Sequence, residues 1–235
     1  MRVPRLPHRF DLSPAQAVAL QRRLAGRVVL SPLPEVRYVL GLDCAFEADR
    51  VLAVGVLWDL AAGRVLETRG AAVPLTFPYV PGLLSFRELP ALLAVVRRIA
   101  GPVDVILCDG QGIAHPRRFG IASHLGVIVG RPAVGCAKSR LTGRHEPVPE
   151  HRGASVPLVA EKTGERLGSV LRTRTGVRPL YVSPGHLADF DGAERLVLAC
   201  GAGYRLPEPT RLADIEVARF KRAGRYRGGL SRAAK

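Results

Sequence analysis

The stretch Val103-Asp-Val-Ile-Leu-Cys-Asp109-Gly-Gln-Gly-Ile-Ala-His-Pro-Arg-Arg118 decides the fold and points to the site. Its apolar half has strand length and ends at Cys108, so Asp109 is the first acid shown at a strand's C-terminal end. Gly110 and Gly112 then let the backbone come close to whatever lies opposite. His115, Arg117 and Arg118 follow as a basic rim. A strand-end carboxylate, a close-approach loop and a basic rim suit a metal-dependent phosphodiester site. A polar turn after a strand would read the same way locally, so the remaining chain has to decide.

Outward from this stretch, strands and helices alternate. Tyr38–Phe46, Val51–Trp58 and Arg64–Val73 read as a strand meander, broken by the polar turn Glu47-Ala-Asp-Arg50. Ser13-Pro14 opens a helix, with Ala17, Leu20 and Leu24 at helical spacing. Leu89–Ile99 is predicted helical with Pro90 in its first turn, and a second helix falls near 119–129. Strands are expected at 133–137, 167–172 and 178–182, and helices near 190–200 and 211–222. Ser139–Glu165, rich in Gly, Pro and charge, reads as an irregular surface excursion. A meander followed by βαβ units predicts an α/β fold with one mixed sheet flanked by helices. Residues 1–222 read as a single domain and 223–235 as a basic, flexible tail.

Composition narrows the partner. The 235 residues carry 35 Lys and Arg against 20 acids, a net charge of +15 that attracts polyanions, nucleic acid first. No apolar run reaches the roughly 18 residues of a spanning helix, and the N-terminus has no secretory apolar core, so no membrane role is expected. Cys44, Cys108, Cys136 and Cys200 lack zinc-type spacing. They read as small buried hydrophobes in a reducing, cytoplasmic setting.

Four acids then stand out. Asp43 interrupts the apolar run Tyr38–Phe46, where an unpaired charge is costly. Asp109 ends a strand expected near it. Glu88 lies at a helix start and Asp214 in the last helix, positions that dipole support or plain solvation would also explain. Magnesium prefers carboxylates, water and phosphate oxygens, and three or four acids on neighbouring strands and a helix supply such a cage. Lys138, ending the run Ala133–Lys138, adds a point charge for a phosphate.

Longer strings carry a resemblance. Pro78-Tyr-Val-Pro-Gly-Leu-Leu-Ser-Phe-Arg-Glu88, Asp109–Arg118, Gly135-Cys-Ala-Lys-Ser139, Pro179-Leu-Tyr-Val-Ser-Pro-Gly-His186 and Tyr204–Asp214 resemble endonuclease V, in chain order across roughly residues 10–222. The resemblance implies a ribonuclease H-like fold. It also implies a magnesium-dependent deoxyinosine endonuclease, with manganese able to substitute. Such an enzyme cuts the second phosphodiester bond 3′ to hypoxanthine and leaves 3′-hydroxyl and 5′-phosphate ends.

Residue by residue, the resemblance makes Asp43 and Asp109 metal-binding aspartates, Glu88 a catalytic and metal-binding glutamate, and Asp214 the acidic position of the last helix. Lys138 matches a lysine near the scissile phosphate. Tyr79 matches a wedge filling the gap left by a displaced base; its setting between Pro78 and Val80-Pro81-Gly82 is stiff and unsuited to helix. Pro81, Gly82, Leu84, Gly110, Gly112 and His115 fall to lesion recognition. Gln111 receives no catalytic role, and His186 a structural one at a helix start. The partner implied is deoxyinosine-containing DNA, and the chain is expected to be a monomer. An inosine-specific endoribonuclease using the same site is the alternative that the motifs leave open.

Overall fold

A computed structural model describes residues 1–226 apart from Arg2 and Arg5. The chain runs α1 (Pro14–Ala25), β1 (Tyr38–Glu47), β2 (Arg50–Asp59), β3 (Arg64–Pro74), α2 (Leu84–Arg98), β4 (Val105–Cys108), α3 (Ile121–Val129), β5 (Ala133–Ala137), β6 (Ser155–Val159), β7 (Arg166–Leu171), β8 (Leu180–His186), α4 (Phe190–Ala199) and α5 (Glu208–Ala223). All strands join one sheet in the order β3-β2-β1-β4-β5-β8-β7-β6. β1, β2 and β3 form the antiparallel meander, and β4 and β5 add in parallel to β1. This is the ribonuclease H-like mixed sheet, extended at the β5 edge by the antiparallel strands β8, β7 and β6.

Alternation along the central strands sends side chains to two cores. Leu40, Leu42, Ile106 and Cys108 pack with Leu89, Leu92 and Val96 of α2 and Leu125 of α3. Val39, Val105 and Leu107 face the other way, onto Ala193, Leu196 and Val197 of α4. On that same side Leu52, Val54 and Val56 of β2 meet Ala213, Val217 and Phe220 of α5. α1 lies apart. Its Ala17, Leu20 and Leu24 pack on Phe77, Leu83, Phe86 and Phe119.

Several expectations change. β6 lies inside the stretch expected to be irregular; it is an edge strand whose only fully buried residue is Leu158, and its Pro157 hides the strand pattern. α2 begins at Leu84, so Pro90 is interior and not in the first turn. The start has no side-chain cap to signal it, since Leu83 sits at the cap position. α5 begins at Glu208, ahead of the expected start near 211. His186 ends β8 and accepts the Val29 N–H at 3.2 Å, while α4 is capped by Asp189, so His186 sits at a strand end and not at a helix start. α5 runs to Ala223 and closes on Gly224 with φ 64°. Tyr226 still packs on Phe220, with ring centroids 5.4 Å apart, and lies across Gly70. The rest of the basic segment, 227–235, lies outside the described residues.

Candidate active site

Strand register brings the two principal acids together. β1 and β4 run parallel with Leu42 opposite Cys108, and the Asp109 N–H donates to the Leu42 carbonyl at 3.2 Å. Asp43 and Asp109 therefore share one end of the sheet. Glu88 arrives from the second turn of α2, turned inward by the same helix face that buries Leu89 and Leu92. Asp214 arrives from α5, whose Pro209 lies directly on β1. A Cβ at Gly41 would come within 2.2 Å of the Pro209 backbone, so glycine is what lets the helix approach. Lys138 follows β5, and its Nζ lies 2.7 Å from Asp109 and 3.6 Å from Asp214.

These five residues line one cavity of about 490 Å³. Its electrostatics follow from crowding of like charge in a poorly solvated place. Burial, then the neighbouring Asp109, pushes the Asp43 carboxyl up to about 8; Lys138 and the Cys44 N–H pull the other way. Burial also pushes Glu88 up to about 8, with repulsion from Asp43 and Asp109 adding to it. Burial works against the Lys138 ammonium, yet Asp109, Asp43 and Asp214 together hold it above its ordinary range.

The same lining holds most of the residues expected to recognise the lesion. Tyr79 projects outward, 73% exposed, and Leu84 is 39% exposed. Tyr79, Pro81, Gly82, Leu84, Gly110 and His115 all line the same cavity, which also takes in Gln21, Gln111 and Leu141. Gly112 does not. Its N–H donates to the Ser183 hydroxyl at 2.8 Å, and a Cβ there would come within 2.1 Å of the Pro184 carbonyl oxygen. The close approach that this glycine permits is thus to β8 and not to a ligand.

The expected basic rim is also more occupied than the sequence implies. Arg118 pairs with Glu165 at 2.7 Å, and Arg117 reaches Gln21 and the Gly82 carbonyl, both at 2.6 Å. Burial and then Arg117 push His115 down to about 4, so its ring is neutral near pH 7. Nε2–H donates to the Gly82 carbonyl at 2.9 Å, and Nδ1 accepts the Arg117 N–H at 3.1 Å. Gln111 is held by a donation from its amide to the Ser139 carbonyl at 3.0 Å.

Two contributors escaped the sequence reading. Gln21 is 1% exposed yet polar. The i, i+3, i+4, i+7 spacing of positions 17, 20, 21 and 24 places it on the buried face of α1, and that was the available signal. Arg205 donates to the carbonyls of Lys138, Arg178 and Pro179 at 2.8, 2.9 and 3.0 Å. It holds the chain on which Lys138 sits, and it stands within a quoted motif without a role having been given to it.

The acids are hard oxygen donors of the kind a divalent ion takes. Among the described residues no three acidic, histidine or cysteine side chains converge closely enough to grip one ion. The Lys138 ammonium instead lies between Asp109 and Asp214 as the local cation. The donor set fits magnesium, which needs few protein ligands and completes its shell with water and phosphate oxygens.

Comparisons with known proteins point to a single family. The endonuclease V family model matches residues 22–215. An endonuclease V from Azotobacter vinelandii is 50% identical over 208 residues, covering 87% of this chain and 93% of that protein. The crystal structure of an endonuclease V from Streptomyces avermitilis superposes with a TM-score of 0.87 at 41% identity, covering 95% of this chain and 99% of that one. The catalytic domain of human endonuclease V does so with a TM-score of 0.84 at 34% identity, covering 89% and 96%.

Proposed function

This chain belongs to the endonuclease V family, and on that premise we propose that it is a magnesium-dependent DNA repair endonuclease that recognises hypoxanthine in DNA and hydrolyses the second phosphodiester bond 3′ to the lesion. The products would carry 3′-hydroxyl and 5′-phosphate ends. The observation that carries this reading is a single cavity lined both by an acid cluster and by an exposed tyrosine. A displaced base and its flanking phosphates would meet both within that one cavity.

Asp43, Asp109, Glu88 and Asp214 would hold the ion or ions. Magnesium bound there supplies charge stabilisation for an in-line displacement at phosphorus. Lys138 offsets part of the charge of the acid cluster beforehand and offers its ammonium to the scissile phosphate. Glu88, brought beside Asp43 and Asp109 by α2, would help to hold the ion and to orient the attacking water. Tyr79 stacks where the extruded base has left a gap, each such contact being worth roughly 1–3 kcal/mol. A deaminated base pairs poorly, so its extrusion costs less than that of a normal base. Hypoxanthine carries a carbonyl and an N1 proton where adenine has an amino group and a bare nitrogen, so one set of fixed polar groups separates the two.

Matched duplexes with and without deoxyinosine, and an inosine RNA of the same sequence, test the reading when each is incubated with and without magnesium. The expected result is nicking of the deoxyinosine strand only when magnesium is present. Faster cutting of the RNA would favour the endoribonuclease reading instead, and equal cutting of the undamaged duplex would overturn lesion specificity.

A further inference from the structure

We propose that Gln21 of α1 is a positioning residue that locks the segment Pro78–Gly82 against the cavity wall and so fixes where Tyr79 projects. The inference rests on the lesion-recognition reading of that cavity. Gln21 is 1% exposed, lies far from the segment in sequence, and uses both amide donors and its amide oxygen in hydrogen bonds. Its Nε2 donates to the carbonyls of Gly82 and Phe119, both at 3.1 Å, and its Oε1 accepts from the Arg117 guanidinium at 2.6 Å. Two carbonyl acceptors and one guanidinium donor permit only this amide orientation.

The Gly82 carbonyl is the focus. Gln21, His115 and Arg117 all donate to it, at 3.1, 2.9 and 2.6 Å. With two lone pairs and three donors it has no capacity left for a base. Gly82 itself sits at φ +77°, and a Cβ there would come within 2.8 Å of the Arg117 guanidinium. The Leu83 N–H closes the turn onto the Val80 carbonyl at 2.9 Å. Apolar contacts grip the same place from both sides, since Ala17, Leu20 and Leu24 of α1 share a cluster with Phe77 and Leu83. Tyr79 is 73% exposed and is held mainly through its neighbours. Aiming that ring therefore falls to the backbone tether, and Gln21 is the one member of the tether contributed by α1.

Gln21→Glu is the sharpest probe, because it is nearly isosteric. It keeps the acceptor facing Arg117 but turns the donor facing two carbonyls into a further acceptor. Hydrogen exchange read by mass spectrometry on a peptide spanning residues 76–83 tests the tether without any substrate. Exchange of that peptide should rise about tenfold or more, while peptides from β1 and β4 stay unchanged. Binding is then compared in metal-free buffer, using a hypoxanthine duplex with 2-aminopurine beside the lesion and a hypoxanthine single strand. The duplex should bind about tenfold more weakly and lose the fluorescence rise that reports unstacking, while single-strand binding stays within about threefold. Gln21→Met should behave the same way and serves if the glutamate variant does not fold. Unchanged exchange at 76–83 would overturn the tether, and equal weakening of both substrates would reduce Gln21 to a general structural residue. If the wild-type protein does not prefer the lesion duplex over an undamaged one, the lesion reading fails while the exchange result still judges the tether.

Discussion

The two walls of the cavity are built in different ways. The acid wall stands on regular structure: Asp43 on β1, Asp109 at the end of β4, and Glu88 and Asp214 on helices packed over the sheet. Strand register brings Asp43 and Asp109 together, and helix packing adds Glu88 and Asp214. The wall proposed for recognition stands mainly on turns, where Gly82 has φ +77° and Gly110 φ +151°, and it is held by polar side chains from elsewhere in the chain. Rigid elements suit groups that must meet at fixed separation. A tethered loop suits a ring that has to enter a duplex. Damage to the first wall should therefore remove chemistry and leave binding, and damage to the second should do the reverse.

The largest effect is expected at the aspartates. Asp109→Asn or Asp43→Ala should lower single-turnover nicking by on the order of 10³-fold or more. Binding of the lesion duplex in calcium should stay within about threefold, measured by fluorescence anisotropy. Near wild-type nicking by either variant would break the assignment of the acid wall.

Next comes Lys138. Lys138→Ala should slow single-turnover cleavage by roughly 10–100-fold, as expected for loss of a charge aimed at the reacting phosphate. Lys162 is exposed on the turn after β6, and Lys162→Ala should change the rate by less than about twofold. Equal slowing by the two would mean that bulk charge, not position, matters.

On the recognition wall, Tyr79→Ala should weaken duplex binding about tenfold and single-strand binding much less. Cut position and magnesium dependence should not change. The melting temperature should move little, because the ring is largely exposed. Unfolding, or equal loss on both substrates, would remove the distinction between the walls at this residue.

The smallest effect is thermal. Asp43 and Glu88 are raised from ordinary values near 4 to about 8. A carboxyl raised on folding adds stability that is complete below its ordinary value and is lost as pH rises through its folded value. The metal-free protein should accordingly melt a few degrees lower at pH 8.5 than at pH 5.5. Magnesium should recover more of the loss at the higher pH, and Asp43→Asn should flatten the profile. A metal-free melting temperature that rises over this range would contradict the crowded-acid account.

The acid wall was the more legible of the two in the sequence. Asp43 interrupts an apolar run and Asp109 ends one, and both signals depend only on alternation along a strand. The sheet was legible for the same reason, except for β6, where Pro157 and a single buried residue leave little pattern. The recognition wall was harder to read. The Pro78–Gly82 stiffness exposed Tyr79, but no local rule says that Gly112 turns to β8 or that Arg117 turns inward to Gln21. Those are contacts between residues some 70 to 100 positions apart, decided by packing of α1 and β8 and not by neighbouring residues.

The most direct test is a sequencing gel of a 5′-end-labelled strand carrying one deoxyinosine in a duplex, incubated with magnesium beside the Asp109→Asn protein. The account predicts one product from the wild-type chain, ending in a 3′-hydroxyl one nucleotide beyond the lesion, with none from the undamaged duplex or from Asp109→Asn. A product set that ignores the lesion, a cut at another bond, or equal cleavage by Asp109→Asn would contradict it.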